Sequence, residues 1–390
     1  MDSEEALAMT GRVAIVAMGQ STYEPEKRNQ HITELVYEVV SKTLESVGTT
    51  PREIDNIVSC SQDFLDGRTI SNRTIPEAEG GYLKPEAKVA ADGTQAVFFG
   101  MMRILSGKYR TGLVLAHCKM SEGSQNVIAN GMFDPFYQQA IGVDELSAAA
   151  LAMRRYLHVS KAAEEHCAGT AAKAFNNALR NPYVFRGAKV SAADVMASPM
   201  LASPIHAAMA MVPADGACAL LLAHEELARR FTSKPVWISG AGCCVDAYYL
   251  GDRELGGCES LTLAAHRAYR MAGIHDPRED IDLVELCDFY SFQELLWSEG
   301  LGLADPGKGA ALFTSGRTAF SGDLPINPSG GVLGGNPLCV AGMTRVIECA
   351  RQIRGEAGEH QKDGVRTAVA QGSTGACGQS QCVLVLRADS

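Results

Sequence analysis

Apolar residues along the chain keep two rhythms that recur. In "ITELVYEVVSKTLESVG", Leu35, Val36, Val39, Val40, Leu44 and Val47 return every three or four positions, which predicts an amphipathic helix stopped by Gly48. The run before it, "RVAIVAMG", has the short apolar character of a strand. After it, Pro51 opens a turn and Ile54, Ile57 and Val58 predict a second strand entering the core. Strand, helix, strand is the unit of a parallel sheet. The order then returns: "VWISGAG" predicts a strand, "LTLAAHRAYRMAG" a helix ending at Gly273, and "PREDIDLVELCDFYSF" a further strand after a turn.

The wording repeats with the order. Pro51-Arg52-Glu53-Ile54-Asp55 and Pro277-Arg278-Glu279-Asp280-Ile281-Asp282 follow equivalent helices, which points to an internal duplication rather than a recurrent helix-to-strand linker. The first copy continues through a helix, "QAVFFGMMRILSG", and a strand, "TGLVLAHC". The second continues through "SFQELLWSEGLG", a helix from Met343 to Arg354, and two strands, "TAVAQG" and "QCVLVLRA". Between Ser121 and Ala202 lies a mixed, largely helical insertion, polar enough to cap a site. The expected organisation is an N-terminal half, residues 1–234, carrying a cap insertion at about 121–202, and a C-terminal half, residues 235–390, sharing one body.

Composition narrows the class. A chain of 390 residues with 46% hydrophobic and 6% aromatic residues has the make-up of an Ala/Val/Leu/Gly-rich α/β enzyme. A net charge of -10 without a basic block disfavours a nucleic-acid partner. Twelve cysteines without regular CxxC pairing read as reduced thiols, not as a disulfide framework or a metal site. The start, "MDSEEALAMTGRVAIVAMG", lacks the basic flank of an export signal, and no apolar run reaches membrane-spanning length. A cytoplasmic protein without a membrane span is expected.

Four segments carry a family resemblance: "DIDLVELCDFYSFQELLWSEGLGL", "INPSGGVLGGNPLCVAGMTRVIECARQIRG", "PADGACALLLA" and "QGSTGACGQSQCVLVL". Together they resemble the thiolase superfamily, in the branch of sterol-carrier-protein-type and archaeal thiolases, over most of the chain. The resemblance implies an α/β fold, a thiolase-like duplicated five-layer αβαβα body, usually with a homodimer core. It implies acyl-CoA and CoA as substrates, with no permanently bound cofactor. It also extends to thiolase subunits that work with a small zinc-ribbon OB-fold partner, such as benzoylsuccinyl-CoA thiolase. This chain has no zinc-ligand pattern of its own.

The catalytic residues that the resemblance implies are replaced. A thiolase nucleophile is a cysteine at a helix N-terminus, where free N–H groups favour the thiolate. Here that position falls on Ala91 or Asp92, and the family's Gly-His-Pro reads Gly335-Asn336-Pro337. Asparagine can polarise a carbonyl but cannot shuttle a proton. The second catalytic cysteine would align near Gly372 to Thr374, with Cys377 a few residues on.

The remaining candidates are therefore Cys377, among small neighbours in "GSTGACGQ"; Cys287, at a strand end between Glu285 and Asp288; Asn336; and Asp92, as a base or as a helix cap. Cys339 and Cys118 are further thiols, and Tyr248, Tyr249 and Tyr290 are candidate acids or packing residues. Gly330, Gly331, Gly375 and Gly378 are the expected backbone wall for a thioester. Three activities stay open: thiolysis of a bulky 3-oxoacyl-CoA, retro-aldol cleavage of a 3-hydroxyacyl-CoA without a cysteine nucleophile, and a non-catalytic acyl-CoA-binding subunit.

Overall fold

The computed structural model describes residues 11–389; the acidic start, residues 1–10, lies outside them. In chain order the first half runs β1 (Val13–Gln20), α1 (Ile32–Glu45), β2 (Asn56–Cys60), β3 (Glu86–Val89), α2 (Gly93–Leu105) and β4 (Thr111–Lys119). The insertion follows, with α3 (Gln125–Gly131), α4 (Glu145–Ser160), α5 (Glu164–Ala178), α6 (Ala192–Ala197) and the small strands β5 (Met200–Ala202) and β6 (Ile205–His206). The half closes with β7 (Asp215–His224) and α7 (Glu225–Phe231). The second half runs β8 (Val236–Val245), α8 (Glu259–Ala272), α9 (Pro277–Asp280), β9 (Leu283–Glu285), α10 (Phe292–Gly300), α11 (Gly309–Thr314), α12 (Leu338–Arg354), β10 (Thr367–Thr374) and β11 (Ser380–Arg387).

The duplication is visible in the topology. The strand order β3-β2-β4-β7-β1 continues directly into β8-β11-β10-β9. In the first half β2 runs parallel to β3 and β4, with β7 antiparallel between β4 and β1. In the second, β9 and β10 are parallel and β11 lies antiparallel between β10 and β8. Ile326, bridged in parallel to Val284, stands where β3 stands in the first half. Among the described residues the two half-sheets pair through Ala14↔Trp237 and Ile15↔Val236.

Burial follows five layers. Alternate residues of β1 serve two cores: Ala14 and Val16 face α1 and α7, while Val13 and Ile15 face the α2–α12 layer. That middle layer also takes Ala368, Ala370, Leu384 and Leu386 from the second half-sheet. The opposite face of the second half-sheet, with Val369, Val383 and Val385, packs on α8, α10 and the insertion helices α4 and α5.

Most element boundaries agree with the sequence pattern, α1 and α8 among them. The helix expected from Met343 starts at Leu338. Gly342 reads as loop but lies within α12, where a Cβ would overlap the Asp92 carboxylate, so the position takes glycine for space and not for a turn. The glycine keeps two helix starts in contact.

Candidate functional site

A cavity of about 280 Å³ opens where the parallel strands end. Its walls come from the segments just after β2 (Gln62, Phe64, Leu65), after β4 (Met120), after β9 (Phe289, Tyr290) and from the end of β10 (Ser373, Thr374, Gly375). The carboxyl ends of parallel strands are where open α/β sheets gather reacting groups. The insertion supplies one side, through Asn126, Ile128 and Ala129 of α3 and through Asp144, Glu145 and Leu146 at the start of α4. Leu338, the first residue of α12, completes the floor, and Pro337 caps that helix without a side-chain hydrogen bond. The lining is mostly apolar, with few titratable groups.

Two of those groups stand out. Tyr290 sits in the short link from β9 to α10, its amide donating to Gln293 Oε1 at 3.0 Å and its neighbour Ala210 bridged to it. Burial, and then the charge of Glu145, raise its phenol pKa well above the ordinary value. Glu145 follows the N-cap Asp144, whose capping box with Ser147 fixes the helix start. Its Oε1 accepts from Cys377 N at 3.4 Å, and its Oε2 has no hydrogen-bond partner among the described residues. Burial pushes this carboxyl up to about 7, with the Cys377 amide and Arg253 pulling it back. A carboxyl poised near neutrality beside a neutral phenol can move a proton in either direction.

Asp92 is outside the cavity lining and only 1% exposed. It is the N-cap of α2, accepting from Thr94 N and Thr94 Oγ1 with one oxygen and from Gly342 N, at 2.9 Å, with the other. Burial pushes it up to about 6 against the pull of those bonds. A Cβ on Gly372 would overlap the same carboxylate and Thr94 Oγ1, so Gly342 and Gly372 make room for it.

Asn336 is wholly buried, donating to Gly331 O at 3.2 Å and accepting from Arg345 at 2.9 Å. Arg345 also donates to Glu285 and Ser329, so the asparagine belongs to a charged network behind the cavity. Cys287 is fully buried at the end of β9, its amide donating to Gln371, and burial raises its thiol.

Cys377 stands in the left-handed region with φ 51° and packs with Ala376 and Leu250, and it is not among the residues lining the cavity. Burial, and then Glu145, raise its thiol well above the ordinary value. Cys60 and Cys118, also close to α2 and α12, are raised by burial as well.

Of the four glycines expected to wall a thioester, Gly375 lines the cavity. Gly330 and Gly331 are buried against Ala178 and Asp288, and Gly378 approaches Gln381 Nε2 and Ser373 Oγ. The structure therefore brings together Tyr290, Gly375 and a residue with no sequence signal, Glu145. It leaves Asp92, Asn336, Cys287 and the Cys377 thiol outside the cavity lining. Glu145 reads in sequence as an ordinary acid in the first turn of a helix, and the fold alone gives it a second meaning. Among the described residues no group of three or more His, Cys, Asp or Glu is placed to hold a metal ion, and no helix is long and apolar enough to cross a membrane.

Two duplicated halves around a middle helical layer, with a cavity at the strand ends, define a layered α/β body with a mostly apolar pocket. Residues 243–388 match the thiolase C-terminal domain-like family. An acetyl-CoA acetyltransferase of Methanothermobacter thermautotrophicus is 28% identical over 362 residues, covering 90% of this chain and 93% of its own. The benzoylsuccinyl-CoA thiolase subunit BbsB of Thauera aromatica is 29% identical over 231 residues, 58% of this chain and 60% of its own. Among solved structures the Ltp2-ChsH2(DUF35) aldolase superposes with a TM-score of 0.85 at 22% identity, over 98% of this chain and 99% of that one. Over most of its length the chain is similar to thiolase-family proteins, and its fold is the thiolase fold.

Proposed function

We propose that the chain is a carbon–carbon lyase that cleaves a 3-hydroxyacyl-CoA by a retro-aldol route. The observation that carries this reading is that Glu145 and Tyr290 both line the cavity, while the place that the resemblance assigns to a nucleophilic thiol falls on Ala91 or Asp92, neither a thiol, and Asp92 already caps α2. The thiols flanking α2 and α12 are buried with raised pKa values, the opposite of what a thiolate nucleophile needs.

In the proposed reaction Glu145 takes the proton of the 3-hydroxyl. The C2–C3 bond breaks, C3 becomes a carbonyl, and the electron pair forms the thioester enolate. Tyr290 protonates C2, and the proton on Glu145 passes to the Tyr290 phenolate, so Tyr290's proton ends on the shortened acyl-CoA and the hydroxyl proton replaces it on Tyr290. The uncapped first turn of α12 presents its positive end to the enolate oxygen. The apolar walls suit a bulky acyl group. The fold neighbour named as an aldolase is compatible with this chemistry.

A second reading is CoA-dependent thiolysis of a bulky 3-oxoacyl-CoA such as benzoylsuccinyl-CoA, for which the likeness to BbsB speaks. Both readings use CoA thioesters and fit a homodimer core. Both also accommodate a separate zinc-ribbon OB-fold subunit, as the likeness to a subunit and to a two-protein aldolase suggests. Twelve free cysteines fit a reducing, cytoplasmic compartment.

The test is a product balance on an apolar 3-hydroxyacyl-CoA, with and without free CoA, using the full chain alone and with any zinc-ribbon protein that co-purifies. The lyase releases a carbonyl fragment and a shortened acyl-CoA at the same rate in both. Consumption of one CoA per cleavage establishes thiolysis instead. Tight acyl-CoA binding without turnover establishes the non-catalytic role.

A further inference from the structure

Arg253 follows the short 3-10 turn Leu250–Asp252, and its side chain is 6% exposed. It donates from one terminal nitrogen to Ala376 O at 2.7 Å and from the other to Cys377 O at 3.0 Å. Its Nε has no hydrogen-bond partner among the described residues and stands 3.6 Å from Asp246 Oδ2. Burying a guanidinium is costly unless its donors are used, and here both terminal groups go to backbone carbonyls instead of a carboxylate fork.

Those carbonyls belong to a loop that needs holding. Gly375, Cys377 and Gly378 have φ values of 78°, 51° and 68°, and a non-glycine residue in that region is disfavoured. The peptide joining Ala376 to Cys377 has its carbonyl on Arg253 and its N–H on Glu145. A cation on the carbonyl polarises the whole peptide, making its N–H a stronger donor. One peptide plane thus ties the cap helix α4, the loop after β10 and the segment after β8.

We propose that Arg253 is a positioning residue for the cleavage site: it holds the Gly375–Gly378 loop, and through the Cys377 amide it sets the place and the ionisation of Glu145. The proposal rests on the reading that Glu145 and Tyr290 work in the cavity. The groups facing Glu145 are Arg253, the Cys377 amide and thiol, Tyr290, and Asp144 on its own helix.

The test compares Arg253→Lys and Arg253→Gln with the native chain on the same 3-hydroxyacyl-CoA. Lysine keeps the charge but loses the paired donors, and kcat/KM falls about tenfold, mostly in kcat. Glutamine loses the charge as well, and kcat/KM falls about a hundredfold. The limb of the pH profile that belongs to Glu145 moves up in Arg253→Gln and little in Arg253→Lys. Hydrogen exchange of the amides at 375–378 speeds up in both.

Native kcat/KM, an unmoved limb and native exchange in Arg253→Lys and Arg253→Gln overturn the proposal. Should Arg253→Gln fail to fold, kcat/KM and exchange in Arg253→Lys decide. Native activity in Glu145→Gln overturns the parent reading separately. The exchange measurement then still decides whether Arg253 holds the loop.

Discussion

Two helices start side by side under the cavity, and they treat their free N–H groups differently. α2 is closed by Asp92, which accepts from its own first turn and from Gly342 of the neighbouring helix. α12 is opened by Pro337 with no side-chain cap, and its first residue lines the cavity. A helix start satisfied by its own carboxylate has no positive end left with which to stabilise a thiolate. An open one still offers it to a developing enolate. The difference teaches that in the proposed scheme the anion-stabilising role falls to the second-half helix, while the first-half helix start is tied to it through Asp92 and Gly342.

The largest effect comes from removing the proton handlers. Tyr290→Phe and Glu145→Gln each lower kcat by about a hundredfold or more, measured as release of the carbonyl fragment. Equal activity in both would leave α12 facing a cavity with no chemistry. In the native chain kcat/KM rises with pH through about 7, because the carboxylate form of Glu145 is the base, and this limb is absent in Glu145→Gln. A limb that falls with pH over the same range would make Glu145 an acid and reverse the scheme.

Closing the space between the helices affects stability next. Gly342→Ala and Gly372→Ala each push a methyl into the Asp92 carboxylate and cost about 1–3 kcal/mol in denaturant unfolding. Asp92→Ala costs about 1–2 kcal/mol as a lost cap, with kcat changed about twofold. A far larger loss of kcat without loss of stability would return Asp92 to the reaction itself. The smallest effect is Cys377→Ser, with kcat within about twofold of native, since a buried thiol with a raised pKa, outside the cavity lining, has no part in the scheme.

The sequence made the fold easy to read and the site hard. Leu35, Val36, Val39, Val40 and Leu44 lie on one buried face of α1, and periodicity alone marks such a face. The repeated Pro-Arg-Glu turns announce the duplication, since each half solves the same return from helix to strand. Gly342 reads as a loop residue because a glycine kept for a neighbour's carboxylate looks in sequence like one kept for a turn. "NPSGGVLGG" looked like a ligand wall for the same reason: Gly330 and Gly331 leave space for Ala178 and Asp288. Tyr290 reads in sequence as a candidate acid or a packing residue, alongside Tyr248 and Tyr249. Glu145 and Arg253 do not, because residues 145, 253, 290 and 377 meet only after the cap and the last hairpin fold over the strand ends.

The central claim, cleavage without a covalent acyl-enzyme, is tested most directly by the intact mass of the protein quenched during turnover of the acyl-CoA. The account predicts the unmodified mass of the chain at every time point, with product accumulating. An adduct of acyl mass that forms and decays at the rate of turnover and maps to a cysteine would contradict it.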